Sequence, residues 1–259
     1  MESRGEPECP VCGDSGWVKV VDEGAGAARP CNCAESRRLP RLLQAADVPP
    51  RYRDCTLESF KTSADSEAER LALMGAVAAC RRYVDGFLSM DGSFRGIGVL
   101  FVGPPGTGKT HLAAALLLEL VRRYGLHGRF VDFTSLVHRI QSTFDPTSPE
   151  SKRGVLDPIV DAQLLVLDEL GAQKPTPFVN DTLYLILNTR YTRGLPTIFT
   201  TNYPFETGSA GAAASAVSLG SRIPAVLVSR LHEMAEVIEL DVGDYRARML
   251  VHSVRDRAR

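Results

Sequence analysis

The stretch that most constrains this chain is Gly103-Pro104-Pro105-Gly106-Thr107-Gly108-Lys109-Thr110, which follows the apolar run Val99–Val102 and precedes the Ala/Leu-rich run Leu112–Val121. A strand, a glycine-rich loop, a Lys-Thr pair and a helix, in this order, are the context of a phosphate-binding P-loop. Glycines let backbone N–H groups turn inward around a polyphosphate, and the helix N-terminus adds the positive end of its dipole. The pattern therefore predicts an α/β domain that binds a nucleotide through this loop.

A second apolar run, Leu164–Leu167, ends in two carboxylates, Asp168 and Glu169. In a P-loop protein this arrangement predicts a strand whose first acid holds Mg²⁺ and whose second acid polarises the attacking water. A strand that simply ends in solvent-facing acids is the alternative, but the P-loop upstream favours the functional interpretation. Lys109 would then reach the β- and γ-phosphates and Thr110 would bind Mg²⁺, so the predicted reaction is ATP hydrolysis.

A third strand is predicted over Pro196–Asn202, with polar residues at its carboxyl end. Ligands bind at the carboxyl ends of strands in open α/β sheets. Asn202, or alternatively Thr201, is therefore expected to hydrogen-bond the γ-phosphate or the lytic water, although a strand-ending turn would look the same.

Apolar periodicity and turn residues predict the remaining elements. In chain order these are a helix over Ser66–Leu88, a strand over Gly128–Phe133, a helix capped by Thr134, a loop over residues 145–153, a helix over Phe178–Arg193, a flexible loop or frayed helix over residues 206–221, a strand over Val237–Leu240 and a basic helical tail from Arg246.

The composition sets limits on the class of protein. With 259 residues and a formal net charge of -1, the chain can bury one substantial core plus a smaller appendage, and nucleic-acid binding must come from a local patch. No apolar segment follows Met1, and the longest apolar run, Leu112–Val121, contains Glu119. Because that run is too short to span a bilayer, we expect a soluble, cytoplasmic protein without a membrane partner.

Four of the six cysteines lie within the first 33 residues. In a cytoplasmic protein such clustering favours a metal over disulfides. Cys9 and Cys12 form one pair and Cys31 and Cys33 the other, and four thiolates suit a tetrahedral, structural Zn²⁺. Reduced cysteines without a metal, or a redox pair, are the alternatives.

The segment around these cysteines predicts a small N-terminal unit. Trp17–Val21 is predicted as a strand and residues 24–28 as a turn, whereas Pro49–Tyr52 marks a linker. The predicted domains are a zinc-binding segment over residues 1–47 and an ATPase domain over residues 48–259. Cys55 and Cys80 stand apart and are expected to be buried small hydrophobic residues.

The order of the motifs, with Ser229-Arg230-Leu231 after the third strand, resembles that of AAA+ ATPases. The motifs are similar to those of bacterial helicase loaders of the DnaC/DnaI type and of the IstB-type transposition ATPases, over roughly residues 48–252. The matching stretches are Val48–Tyr52 with Thr56–Phe60, Gly103–Leu112, Leu164–Gly171, Arg190–Asn202 and Leu227–Arg246.

This resemblance implies an AAA+ P-loop NTPase fold with a five-stranded parallel sheet, nucleotide bound at subunit interfaces, and ATP-dependent assembly on single-stranded DNA. It implies Asn202 as sensor 1 and Arg230 as an arginine finger acting on the neighbouring subunit, with Arg222 as a competing candidate and Arg246 as an unassigned possibility for sensor 2. The nucleotide-binding residues implied are Gly103, Pro104, Pro105, Gly106, Thr107, Gly108, Lys109, Thr110, His111 and Asp168.

The leading hypothesis for function is a loader that places the replicative DNA helicase on single-stranded DNA, because the cysteine-rich N-terminus resembles the zinc-bearing head by which loaders contact that helicase. An IstB-like transposition helper acting with a transposase is the alternative. An adaptor that binds ATP with little turnover is a third, and Glu169, which many relatives replace by Asp, argues against it.

Overall fold

The computed structural model describes residues 9, 11–12, 15, 17–22, 25–31, 33, 37–89, 92–205 and 217–247. No helix in these stretches is long and apolar enough to cross a membrane. The strands and helices are β1 (Trp17–Asp22), β2 (Ala25–Pro30), α1 (Arg38–Ala45), α2 (Glu67–Asp85), β3 (Gly98–Val102), α3 (Lys109–Tyr124), β4 (Gly128–Asp132), α4 (Phe133–Ser142), α5 (Lys152–Val160), β5 (Leu164–Asp168), α6 (Pro177–Thr192), β6 (Thr197–Thr201), α7 (Ala225–Met234) and β7 (Ala235–Glu239), with 3₁₀ turns at Pro50–Tyr52 and Leu219–Ser221.

Five parallel strands form one sheet in the order β4-β5-β6-β3-β7, which confirms the predicted five-stranded parallel sheet. This order places β6 between β3, which precedes the P-loop, and β5, which ends in the two acids. Every residue of β3, β5 and β6 is buried, because helices cover both faces of the sheet. The carboxyl ends of these three strands therefore adjoin one another.

Alternate residues of the strands divide the core into two layers. Val99 and Phe101 of β3 face the layer that contains α1, α2 and α3, whereas Leu100 and Val102 face the layer that contains α4 to α7. This division follows from the two-residue period of a strand. Helix α3 is buried on nearly all sides, so it presents the P-loop from a fixed position at the centre of the first layer.

Ahead of the sheet, β1 and β2 form an antiparallel hairpin in which Trp17 pairs with Pro30. Residues 25–28, predicted as a turn, are instead part of β2, because each of them pairs with a residue of β1. The rest of that predicted turn, at residue 24, lies outside the described residues.

Helix α1 packs with the ATPase core. Leu42 and Ala46 are buried in the same cluster as Val48, and the Ala46 carbonyl accepts a 2.7 Å hydrogen bond from the Phe130 N–H of strand β4. The predicted boundary after residue 47 assigns α1 to the zinc-binding segment, whereas its packing joins it to the ATPase domain.

Two local predictions are corrected. Helix α4 is capped by Asp132, whose carboxylate accepts a 2.7 Å bond from Ser135 N–H, rather than by Thr134. The predicted loop over residues 145–153 ends earlier, because Ser151 caps α5, which starts at Lys152. The predictions for residues 206–216 and for the tail after residue 247 lie outside the described residues.

Candidate active site

The predicted P-loop connects the end of β3 to the start of α3, and its packing depends on glycine. Gly106 and Gly108 have φ angles of 83° and 97°, in the left-handed region that favours glycine. A Cβ on Gly108 would lie 2.5 Å from Phe60 Cε2, and one on Gly106 would lie 1.9 Å from Asp244 Oδ1. The loop is therefore enclosed by an N-terminal segment on one side and a C-terminal segment on the other.

Lys109 occupies the first position of α3 and is buried. Its Nζ donates a 2.7 Å hydrogen bond to the Pro104 carbonyl, within the P-loop itself. Burial lowers the pKa of Lys109 to about 8, and the guanidinium of Arg246 acts in the same direction, while Asp168 and Glu169 oppose the shift. The ammonium group is thus poorly solvated and suited to neutralising a polyphosphate.

The two predicted acids lie beside the P-loop. Asp168 is buried at the end of β5, and Thr110 Oγ1 donates to its carboxylate oxygens at 3.1 and 3.3 Å. Burial raises the pKa of Asp168, whereas hydrogen bonds from Thr200 and Thr110 act against that increase. Glu169 is exposed and lines the adjoining cavity. One hydroxyl and one carboxylate oxygen side by side form the hard donor set that Mg²⁺ prefers.

The end of β6 places a residue next to Asp168 that the sequence analysis did not select. Thr200 Oγ1 donates to Asp168 Oδ1 at 2.5 Å. Thr201 faces away, since its hydroxyl donates to the Leu170 carbonyl at 2.8 Å, while Asn202 is exposed and lines the cavity. The sequence could have indicated Thr200 only through the strand order, because Thr200 reaches Asp168 only if β6 lies beside β5.

A cavity of about 360 Å³ opens beside the P-loop. The segment around the predicted linker forms one of its walls, so this segment belongs to the site rather than serving only as a connection. The residues of that wall are Arg51, Tyr52, Cys55, Ser59, Phe60 and Lys61.

His111, one of the predicted nucleotide-binding residues, holds this wall to α3. Its Nε2 lies 3.1 Å from the Thr56 carbonyl, which can only accept, so Nε2 carries the proton. Its Nδ1 then accepts from the Cys55 thiol, 3.4 Å away, and burial lowers the pKa of His111. The Phe60 ring packs edge-on against the imidazole, with ring centroids 5.4 Å apart. Cys55 and Cys80 are both buried, as predicted.

The C-terminal segment closes the other side of the P-loop. The Tyr245 N–H donates to the Gly106 carbonyl at 3.1 Å, and Arg246 lines the cavity. Arg246, the unassigned possibility for sensor 2, therefore lies at the cavity beside the P-loop.

The two candidate finger arginines have different surroundings. Arg222 donates to three carbonyls, those of Gly171 at 2.9 Å and of Ala172 and Gln173 at 3.1 Å each, and its guanidinium lies 5.0 Å from the Tyr203 ring centroid. Its hydrogen bonds therefore hold the turn that follows the acids.

Arg230 lies on α7, outside the set of residues that line its own cavity. Its guanidinium carbon lies 5.1 Å from the ring centroid of Tyr184 and 5.4 Å from that of Tyr191. Its Nη1 is buried without a hydrogen-bond partner.

The four N-terminal cysteines converge, with all four Sγ atoms within 4.8 Å of one another. The distances of 3.9 Å between Cys9 and Cys31 and 3.2 Å between Cys12 and Cys33 exceed a disulfide bond of about 2.0 Å. A tetrahedral Zn²⁺ with Zn–S bonds of about 2.3 Å places its sulfurs about 3.8 Å apart. The thiolates therefore fit a zinc ion.

A P-loop after β3, the acids Asp168 and Glu169 at the end of β5, and the strand β6 between β3 and β5 define a P-loop NTPase. Residues 32–253 match the family described as IstB-like ATP binding protein, and the chain belongs to this family. It is an ATPase of the AAA+ class, as the motifs predicted.

The curated relatives include an insertion-sequence protein and a helicase loader. The chain is 31% identical over 223 residues to a protein described as "Putative insertion sequence ATP-binding protein y4iQ/y4nD/y4sD" of Sinorhizobium fredii, which covers 86% of this chain and 67% of that one. It is 28% identical over 169 residues to the replicative helicase loader DnaC of Escherichia coli K12, which covers 65% of this chain and 64% of DnaC.

Solved structures agree with the family assignment. The crystal structure of the DnaC helicase loader superposes with a TM-score of 0.60 at 29% identity, over 74% of this chain and 99% of that chain. AMPPCP-bound DnaA from Aquifex aeolicus, at 19% identity and a TM-score of 0.52, shares the fold alone.

Proposed function

We propose that this protein binds ATP and Mg²⁺ beside the P-loop and hydrolyses ATP with the acids at the end of β5. Lys109 attracts the β- and γ-phosphates, Thr110 and Asp168 hold the metal, and Glu169 accepts the proton of the attacking water. Mg²⁺, when bound, offsets negative charge on the phosphates. The supporting observation is the contact between Thr110 and Asp168, which joins the two motifs into one site. Asn202 lines the cavity, and its proposed role is to contact the γ-phosphate or the attacking water.

Arg230 is proposed to complete the site of a neighbouring subunit in an ATP-dependent oligomer. The Nη1 of Arg230 has no hydrogen-bond partner, so this guanidinium is less constrained than that of Arg222, which donates to three carbonyls. Arg246 is proposed to contact phosphate within its own subunit.

The cellular role that we propose is to load the replicative DNA helicase onto single-stranded DNA, which places the protein in the cytoplasm. The observation that supports this role is the four-cysteine cluster, which fits a structural zinc ion and precedes an ATPase domain similar to the DnaC helicase loader. We expect the zinc-binding segment to contact the helicase. Because the net charge is -1, DNA affinity is expected to depend strongly on salt.

The test is co-purification with the replicative helicase of the same host in the presence of ATP. The wild-type chain is compared with Cys9→Ser/Cys12→Ser and with a chain lacking residues 1–36, which keeps α1. We expect a complex with the wild type and with the control Cys80→Ala, which alters a cysteine of the ATPase core, but not with the two variants that lack the cysteine cluster. Complex formation by all variants would reject the zinc segment as the docking element.

A transposition helper is the second candidate, supported by the 31% identity to the insertion-sequence protein over 86% of this chain. It predicts that the helicase is not retained and that a transposase encoded beside this chain is retained with ATP. This result would replace the loader proposal while leaving the proposed ATPase mechanism intact.

A further inference from the structure

One side chain to which the sequence motifs assign no role organises the acidic turn. Thr200 is 1% exposed on β6, and its hydroxyl makes two hydrogen bonds. It donates to Asp168 Oδ1 at 2.5 Å and accepts from the Glu169 N–H at 2.9 Å. The Thr200 carbonyl also accepts from the Leu170 N–H at 2.8 Å. A single residue thus contacts three successive positions of the turn.

The backbone of this turn is held in a costly conformation. Glu169 has a φ of 60°, in the left-handed region that residues other than glycine rarely adopt. Such a conformation persists only where the surroundings determine it, and here the bonds from Thr200 supply that restraint. The consequence is an exposed Glu169 side chain facing the cavity while the neighbouring Asp168 carboxylate stays buried.

We infer that Thr200 is a positioning residue that orients Asp168 and Glu169 for ATP hydrolysis. The hydroxyl donates a hydrogen bond to the Asp168 carboxylate and accepts one from the Glu169 N–H, so it holds the two acids in a single relative orientation. It acts through the two acids, since the P-loop supplies the binding contacts of the phosphates. This inference rests on the proposed hydrolytic function of Asp168 and Glu169.

The test compares Thr200→Val, which keeps the shape of the side chain but removes the hydroxyl, with Thr200→Ser, which keeps the hydroxyl. In the full-length protein we expect Thr200→Val to lower kcat by about 10- to 100-fold, as for other residues that orient a catalytic ligand. The dissociation constant of a fluorescent ATP analogue should change by less than about threefold, because ground-state binding is retained. Thr200→Ser should restore most of kcat.

Thr182→Val is the matched control. Thr182 is a buried threonine of α6 whose Oγ1 has no hydrogen-bond partner, so the same substitution there removes no hydrogen bond. We expect its kcat and ATP affinity to equal those of the wild type. A Thr200→Val variant with wild-type kcat, a Thr200→Ser variant as impaired as Thr200→Val, or a parallel loss of ATP affinity would each overturn the inference.

Hydrogen–deuterium exchange separates this inference from the proposed function. Thr200→Val should speed exchange of the Glu169 amide, which loses the hydroxyl that accepts its hydrogen bond, and Thr182→Val should not. If the wild type proves unable to hydrolyse ATP, the proposed function fails, yet faster exchange in Thr200→Val would still support the positioning role. Unchanged exchange would reject it.

Discussion

The Lys109 ammonium is buried, and this burial lowers its pKa to about 8 although two carboxylates lie nearby. Burial is the largest cause, since desolvation disfavours the charged form. A lysine with this pKa carries its full charge only on the acid side of this value. The charge state of a single residue therefore limits the pH range in which the empty site attracts ATP.

We expect ATP affinity to fall as the pH rises through about 8, where Lys109 of the nucleotide-free protein loses its proton. The measurement is a titration with a fluorescent ATP analogue from about pH 6.5 to about pH 9.5 at constant ionic strength. Lys109→Arg keeps its charge over this range, so its affinity, although weaker, should not follow this profile. The same decline in Lys109→Arg would assign the effect to another group.

The substitutions Arg222→Ala and Arg230→Ala should affect different properties: the first mainly thermal stability, the second mainly ATP hydrolysis. Arg222→Ala removes the donors from three carbonyls of the turn after the acids, so we expect a lower Tm. Arg230→Ala removes contacts with two tyrosine rings but no hydrogen bond at Nη1, so we expect a smaller decrease in Tm and unchanged ATP affinity, with hydrolysis reduced about 10³-fold. Thermal unfolding and phosphate release measure the two effects, and normal turnover in Arg230→Ala would contradict its assignment.

Among the elements, α1 shows how a segment of the predicted zinc-binding region became part of the ATPase core. Leu42 of α1 is 5% exposed and packs in the same cluster as α3, whereas Leu39 on the same helix is 37% exposed. The helix also covers the edge of the sheet, because the Ala46 carbonyl pairs with the N–H of Phe130 in β4. An edge strand covered in this way is protected from pairing with another chain.

Leu42→Ala should destabilise the ATPase core by about 2–5 kcal/mol, because it leaves a cavity among buried side chains. Leu39→Ala, on the exposed side of the same helix, should cost less than about 0.5 kcal/mol. Urea unfolding, monitored through the loss of ATP binding, measures the change in the free energy of unfolding for each variant. Equal and small effects would show that α1 does not contribute to the core.

At the scale of the whole molecule, the site described here lacks an arginine finger of its own if Arg230 acts on a neighbour. Arg230 is absent from the residues that line the cavity, which are drawn from the N-terminal wall, the P-loop, the ends of β5 and β6 and the C-terminal segment. Hydrolysis then requires an assembly of at least two subunits.

Mixing two inactive variants tests this requirement. Arg230→Ala retains an intact Glu169, and Glu169→Gln retains an intact Arg230, so their mixture contains interfaces with both groups. We expect the mixture to recover ATP hydrolysis that neither variant shows alone, in proportion to the fraction of mixed interfaces. A mixture as inactive as its components, at concentrations where both assemble, would place the finger within a single subunit or elsewhere.

The sequence by itself determined those features that depend on contiguous residues. The P-loop Gly103–Thr110 and the run Leu164–Glu169 predicted a strand, a loop and a helix in the right order, because phosphate binding uses local backbone geometry and neighbouring side chains. The spacing of the cysteines likewise predicted a cluster whose four sulfurs converge. These patterns, together with the resemblance to DnaC/IstB proteins, correctly predicted the five-stranded sheet and the family to which the chain belongs.

Tertiary structure decided what depends on residues distant in sequence. Helical spacing predicted α2 but not which of its sides is buried, and Leu71 and Met74 are exposed while Leu73 and Cys80 are buried. Arg190 is fully buried and donates hydrogen bonds to the carbonyls of Ile159, Ala162 and Pro196. No local sequence pattern predicts these hydrogen-bond partners. These contacts arise from the packing of elements that are far apart along the chain.

The same holds at the active site. Thr200 meets Asp168 because β6 lies between β3 and β5, and Cys55 meets His111 because the N-terminal segment folds over α3. Periodicity within a strand or helix specifies its own faces, but not the neighbour that each face will contact. The sequence thus identified the groups that we propose for the chemistry, and the tertiary structure determined which residues hold them in place.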